Sequence, residues 1–87
     1  MTDAEAQEAL TALYRRIFSA PGFQPADGMT GREIPNWDSM TYISFLVELQ
    51  KVFRIRIGAL EAGQIRTVGD VRALLSRKLA EQGGKNA

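Results

Sequence analysis

The stretch Pro35–Phe53, PNWDSMTYISFLVELQKVF, decides how the chain is built. Its first residues close a Gly/Pro-studded segment, and its remainder is the most apolar run in the protein. From Ser39 to Phe53 the polar residues Thr41, Ser44, Glu48 and Lys51 step by three, four and three, which is the spacing of one helix stripe. Met40, Ile43, Phe45, Leu46, Val47, Leu49, Val52 and Phe53 cover most of the remaining circumference. A helix with so wide an apolar surface packs on several sides or keeps some of that surface for a ligand. The spacing therefore predicts a central helix over Ser39–Phe53. Ile43, Leu46, Leu49 and Phe53 are expected in the core, while Tyr42, Phe45 and Val47 stand between core and partner contact.

Working outward toward the N-terminus, Ser19 to Trp37 carries Pro21, Gly22, Pro25, Gly28, Gly31 and Pro35, too closely spaced for a long element. A connection of this length in a compact domain must pack along a path, and Phe23, Met29, Ile34 and Trp37 are the anchors available. Before it, Thr2-Asp3-Ala4-Glu5 spells a capping box. Ala6, Leu10, Leu13, Tyr14 and Ile17 follow at helical spacing, and Arg15-Arg16 suit the negative end of the dipole. A first helix from about Asp3 to Phe18 results.

On the other side, FRIRIGAL (Phe53–Leu60) alternates like a strand. A lone strand has nothing to pair with here, so an extended connection and a short helical turn around Ala59 to Gly63 are expected. Thr67-Val68-Gly69-Asp70 repeats the capping pattern with Asp in place of Glu. Val71, Leu74, Leu75 and Leu79 supply the apolar face of a last helix. From Glu81, with Gly83-Gly84, a frayed end is expected. The organisation is one domain over residues 1–82 with a flexible tail over 83–87, an all-α bundle of three main helices and a short third one.

Composition limits the chemistry. The 87 residues are 45% hydrophobic and 24% charged, and they include no cysteine and no histidine. Neither a disulfide framework nor a thiolate site supports the fold, and the commonest general base and metal ligand is missing. A Ser-His-Asp or Cys-His enzyme is excluded by inventory, and no metal site is expected. The acidic start MTDAEAQEAL is unlike a secretory signal, and no later run is long enough to span a membrane. A cytoplasmic monomer is the expectation. Charge is uneven: six acids face three bases up to Asp38, and eight bases face four acids from Ser39 onward. A mildly basic second half permits an acidic partner without demanding one.

Asp38-Ser39 at the head of the central helix has two readings. Either side chain can cap the helix; alternatively, the serine is an exposed hydroxyl that another enzyme modifies. A hydrolytic role fails, because the Gly-x-Ser-x-Gly elbow is missing and Lys51, the nearest base on the helix, lies about three turns away. Nucleic-acid binding through Arg54, Arg56, Arg66, Arg72 and Arg77 is a weaker account than a solvated surface, since acids are interspersed among them.

With WDSM at 37–40, the apolar helix to Phe53, RIRI at 54–57 and IRTVGDVRALL at 65–75, nearly the whole chain resembles the acyl and peptidyl carrier proteins. IPNWDSM and RTVGDV are similar to the discrete members that work with dedicated partners. The resemblance implies a four-helix bundle without catalysis of its own. It implies a 4′-phosphopantetheine arm on Ser39, within a motif completed by Asp38 and by Met40 in place of the usual leucine. The arm would hold an acyl or aminoacyl group as a thioester. Ile57, Ile65 and Thr67 would flank it, although core packing and, for Thr67, a helix cap are the simpler account of them. The implied partners are a phosphopantetheinyl transferase, an acyl- or aminoacyl-activating ligase, and a downstream acyltransferase or condensing enzyme. Trp37, Thr41, Ser44, Glu48 and Lys51 form the expected partner surface. That stripe lacks the acidic character of fatty-acid carriers, which points to a specialised pathway. The competing expectation is a helical interaction module in which Ser39 is only a cap.

Overall fold

A computed structural model describes residues 2–85 and consists of α1 (Asp3–Ile17), α2 (Ser39–Phe53), α3 (Ala59–Gln64) and α4 (Val68–Lys85), with a single 3-10 turn at Gly31–Glu33. The all-helical bundle agrees with the sequence reading, and α2 has the predicted limits.

α1 begins on the anticipated box: the Glu5 N–H donates to Thr2 Oγ1 at 3.1 Å, and the Thr2 N–H donates to Glu5 Oε1 at 2.9 Å. Ala6, Leu10, Leu13 and Tyr14 are buried. The helix stops where Ser19 turns into the left-handed region at φ 52°. α4 starts on the second predicted cap, with the Asp70 N–H on Thr67 Oγ1 at 3.1 Å and the Arg66 and Thr67 N–H groups on Asp70 Oδ2 at 2.9 and 3.1 Å. α4 continues past Glu81, where fraying is expected to begin, to Lys85. Gln82 explains the extension: its Nε2 donates to the Phe53 and Arg54 carbonyls at the end of α2, which holds the last turns of α4 in place. Positions 86 and 87 of the expected tail lie outside the described residues.

The long connection between α1 and α2 is pinned along its length. Phe23 and Ile34 are buried in the core, and Met29 packs against it. Arg15 Nε donates to the Phe23 carbonyl at 2.8 Å, and Asn36 Nδ2 donates to the Phe18 carbonyl at 2.8 Å. Arg72 of α4 reaches back to Asp27 and to the Pro25 carbonyl. The first turn of α4 spends two of its free donors on the same segment, Val68 N–H on Met29 O at 2.9 Å and Gly69 N–H on Asp27 O at 2.8 Å. A Cβ at position 69 would sit 3.0 Å from the Asp27 oxygen, so glycine is what permits this approach. The 3-10 turn was not foreseen. It rests on Thr30 and Glu33, with the Thr30 N–H donating to Glu33 Oε2 at 2.7 Å, a Thr-x-x-Glu spelling obscured by Gly31 and Pro35.

The core is aromatic at its centre. Tyr14 and Phe45 stack with centroids 4.4 Å apart, and Phe18 and Phe23 lie against the same cluster. Leu10, Leu49, Val68, Val71 and Leu75 close around these rings, each at most 2% exposed. Residues 55–57 form no helix, and Gln50 ties them to α2: its Oε1 accepts from the Ile57 N–H at 3.1 Å while its Nε2 donates to the Leu46 carbonyl.

Candidate functional site at the start of helix α2

Of the two candidates for the cap of α2, Asp38 takes the role. Its backbone is extended (φ −152°), and its Oδ1 accepts the Thr41 N–H at 2.8 Å. That bond from the Thr41 backbone holds the Asp38 carboxyl below the usual range. Ser39 is the first helical residue, exposed, and its hydroxyl enters no hydrogen bond among the described residues. The sequence could not separate the two, because aspartate and serine are equally favoured caps and the registers differ by one residue. The outcome is a primary hydroxyl displayed at a helix head and free of structural duty.

Electrostatics around this hydroxyl differ from those at the other helix starts. α1 has Asp3 and Glu5 in its first turn, α3 has Glu61 and α4 has Asp70, whereas α2 has no acid in its first turn. The positive end of its dipole is balanced only by the Asp38 cap.

The other expected site residues are placed unequally. Trp37 is 40% exposed and lies over Gly31, where a Cβ would approach the indole to 2.8 Å. Its ring is 5.9 Å from that of Tyr42. Trp37, Tyr42, Ile65 and Thr67 meet, with Met29 and Ile34, around a cavity of about 80 Å³. Ile57 does not line it and instead packs half-buried against the core. Thr67 lines the cavity and also caps α4.

The predicted partner stripe is divided by the helix rotation. Ser44 and Lys51 point outward, while Thr41 and Glu48 are half-buried. Glu48 approaches Arg16 of α1 to 3.9 Å. The outer face of α2 is mainly apolar instead: Met40 is 77% exposed, Ile43 57% and Val47 44%. These three recur at i, i+3 and i+7, one face of a helix. Ile43 was expected in the core and is not there. At 100° per residue, Phe45, Leu49 and Phe53 with Tyr42 and Leu46 already fill the inward arc, and Ile43 falls outside it. Leu60 on α3 adds a further exposed apolar side chain at 78%. The available signal was the apolar excess on α2, which periodicity reported without saying which part of it would stay uncovered.

Among the described residues no helix is long and apolar enough to cross a membrane. No protein-family model and no curated protein sequence matches the chain. Two solved structures do. The holo acyl carrier protein of Geobacter metallireducens superposes with a TM-score of 0.81 at 27% identity, over 86% of each chain. A candidate acyl carrier protein of Mycobacterium tuberculosis superposes with a TM-score of 0.69, also at 27% identity, over 86% of this chain and 95% of that one. Such carriers are not enzymes, in keeping with an inventory that has neither histidine nor cysteine. The all-helical order, with Ser39 following the Asp38 cap at the head of α2, and these superpositions make the chain similar in fold to acyl carrier proteins.

Proposed function

We propose that the protein carries an acyl or aminoacyl group as a thioester on a 4′-phosphopantetheine arm attached to Ser39 and delivers it between partner enzymes in the cytoplasm. The observation that carries this reading is the division of labour at the helix head: Asp38 performs the cap, leaving the exposed Ser39 hydroxyl for attachment. In the competing reading, an interaction module, Ser39 would serve as the cap, a role that Asp38 holds here.

The residues present fit the group. Ser39 Oγ is accessible to an incoming transferase, and a phosphodiester there would lie at a helix N-terminus without first-turn acids, where an anion is favoured. Asp38 positions the serine by fixing the backbone of the first turn. Met40 and Trp37 flank it as contacts for the transferase. The arm supplies the thiol that the chain itself lacks, and the protein acts as a tether that raises the effective concentration of its cargo at successive active sites.

The outward face of α2 bears on the choice of partners. Met40, Ile43 and Val47 offer apolar contact, and the polar groups beside them are Ser44 and Lys51, with Glu48 turned toward Arg16. An enzyme built around an acidic helix would find little to attract it. The reading is therefore a specialised pathway with its own activating ligase and its own acyltransferase or condensing enzyme.

Intact mass tests the core of the proposal. Incubation with coenzyme A and a broad-specificity phosphopantetheinyl transferase should add one phosphopantetheine increment, and Ser39→Ala should add none. No increment on the folded protein, with a known carrier modified in the same tube, would overturn it.

A further inference from the structure

On the carrier reading, the interior of the bundle bears on what the arm can hold. A carrier can shelter its cargo among its helices or display it in water, and the two demand different interiors. Here the space beside the attachment helix is filled with rings. Trp37, Tyr42, Phe45 and Tyr14 form an unbroken series, with centroid separations of 5.9, 6.3 and 4.4 Å. It runs from the residues flanking Ser39 to the centre of the core, and Phe45 is wholly buried. The cavity bordered by Trp37, Tyr42, Ile65 and Val71 measures about 80 Å³, roughly half the ~150 Å³ that holds one benzene ring in an apolar protein interior. Its walls are close-packed side chains whose displacement would forfeit contacts throughout the core.

The cleft of about 320 Å³ between α3 and α4 is no substitute. Ile65, Ala73 and Leu74 line it, but Glu61, Asp70 and Arg77 line it too. An alkyl chain lying there would sit against charged groups and water and gain little of the burial that drives sequestration.

We infer that the protein does not enclose its cargo: the acyl group stays outside the bundle, and the cargo class is short or polar acids, aminoacyl groups included, rather than medium or long alkyl chains. Tyr42 is the residue that closes the entrance. It is half-buried, its ring bridges Trp37 and Phe45, and its buried hydroxyl has no hydrogen-bond partner among the described residues. Its ring occupies the space between Trp37 and the core, beside the small cavity.

The test loads the protein with the acetyl, hexanoyl and decanoyl forms of the arm, using the corresponding acyl-coenzyme A and a permissive transferase. Mass confirms each species before anything else is measured. The three wild-type species should melt within about 1 °C of one another, whereas burial of even a few methylenes would raise Tm by about 4 °C or more. Methyl resonances of Leu49, Val68, Val71 and Leu75 should not move with chain length. Tyr42→Ala should open the entrance and make the decanoyl species melt higher than the acetyl species. A rise of Tm with chain length in the wild type overturns the inference, as do shifts of these methyls or of Ala73 and Leu74 in the open cleft. A flat response in Tyr42→Ala overturns the role given to that ring. Failure to load at all is a different result, since it strikes the carrier reading through the mass and not through the melting profile.

Discussion

α1 and α2 are each 15 residues long, yet they solve different problems. α1 divides cleanly: Ala6, Leu10, Leu13 and Tyr14 face inward, and much of its outer surface is charged. α2 buries Phe45, Leu49 and Phe53 and still leaves Met40, Ile43, Val47 and Val52 substantially exposed. α1 is accounted for by the bundle alone. α2 has an inner face for the bundle and an outer apolar face for which the bundle offers no neighbour, and that outer face begins beside Ser39. A domain exposes single apolar residues routinely. Three of them aligned on one face, next to Ser39, form an apolar patch of the kind that marks an interaction surface.

The comparison breaks most severely if the inner faces are not equivalent in stability. Phe45→Ala removes the ring that Tyr14, Phe18 and Tyr42 all touch and should cost about 3–5 kcal/mol. Leu10→Ala on α1 should cost about 2–5 kcal/mol. Urea unfolding with the midpoint and slope fitted separately measures both. A loss below about 1 kcal/mol for Phe45→Ala, under the range for buried aromatics, would mean that the ring series is not the centre of the core.

The two faces of α2 also mark how far the sequence could be read. Helix starts were legible because they are local: Thr2 with Glu5 and Thr67 with Asp70 set two of them, and α2 follows from its apolar run, whereas the end of α4 depends on the distant contact of Gln82 with the end of α2. Burial on α2 was less legible. Ile43 and Leu46 are alike in hydropathy, and only the positions of the neighbouring elements decide that Leu46 packs while Ile43 does not. The same limit applies to the ring series, which joins Tyr14, Trp37 and Tyr42 from separate segments, and to Arg72, whose sequence context suggests a solvated charge but which clamps the loop at Pro25 and Asp27. At the site, Ser39 could be singled out from its setting. The assignment of the cap to Asp38 could not, because it depends on a one-residue register that only backbone geometry fixes.

The outer face supplies a sharper contrast. Ile43→Gln with Val47→Gln changes exposed positions and should leave stability within about 0.5 kcal/mol per substitution. If the face is where enzymes dock, the same pair should raise the KM of the phosphopantetheinyl transferase for this protein about tenfold with kcat nearly unchanged, equivalent to about 1.4 kcal/mol of lost association. Unchanged KM would confine docking to the immediate surroundings of Ser39. Loss of stability without a kinetic effect would return Ile43 to the structural role that hydropathy first suggested.

The smallest effect concerns the helix starts. Glu5 on α1 and Asp38 on α2 both accept backbone N–H groups, and these bonds hold both carboxyls below their ordinary values of 4.5 and 3.8. A folded-state value below the unfolded one gives a contribution that is complete above the unfolded value and is lost as pH falls through the folded one. Tm should therefore be level from pH 7 to about 5 and decline at lower pH. Asp38→Asn separates charge from cap, since asparagine caps as well as aspartate but does not titrate in this range. It should preserve Tm at pH 7 and flatten part of the acid decline, and Glu5→Gln should do the same on α1, because glutamine also completes the box. If Asp38→Asn lowers Tm at pH 7 while Glu5→Gln does not, the negative charge itself, and not only the hydrogen bond, holds the first turn of α2. The head of α2, with no acid inside its first turn, would then depend on Asp38 for electrostatic balance as well as geometry, and the presentation of Ser39 would weaken in acid before the bundle does.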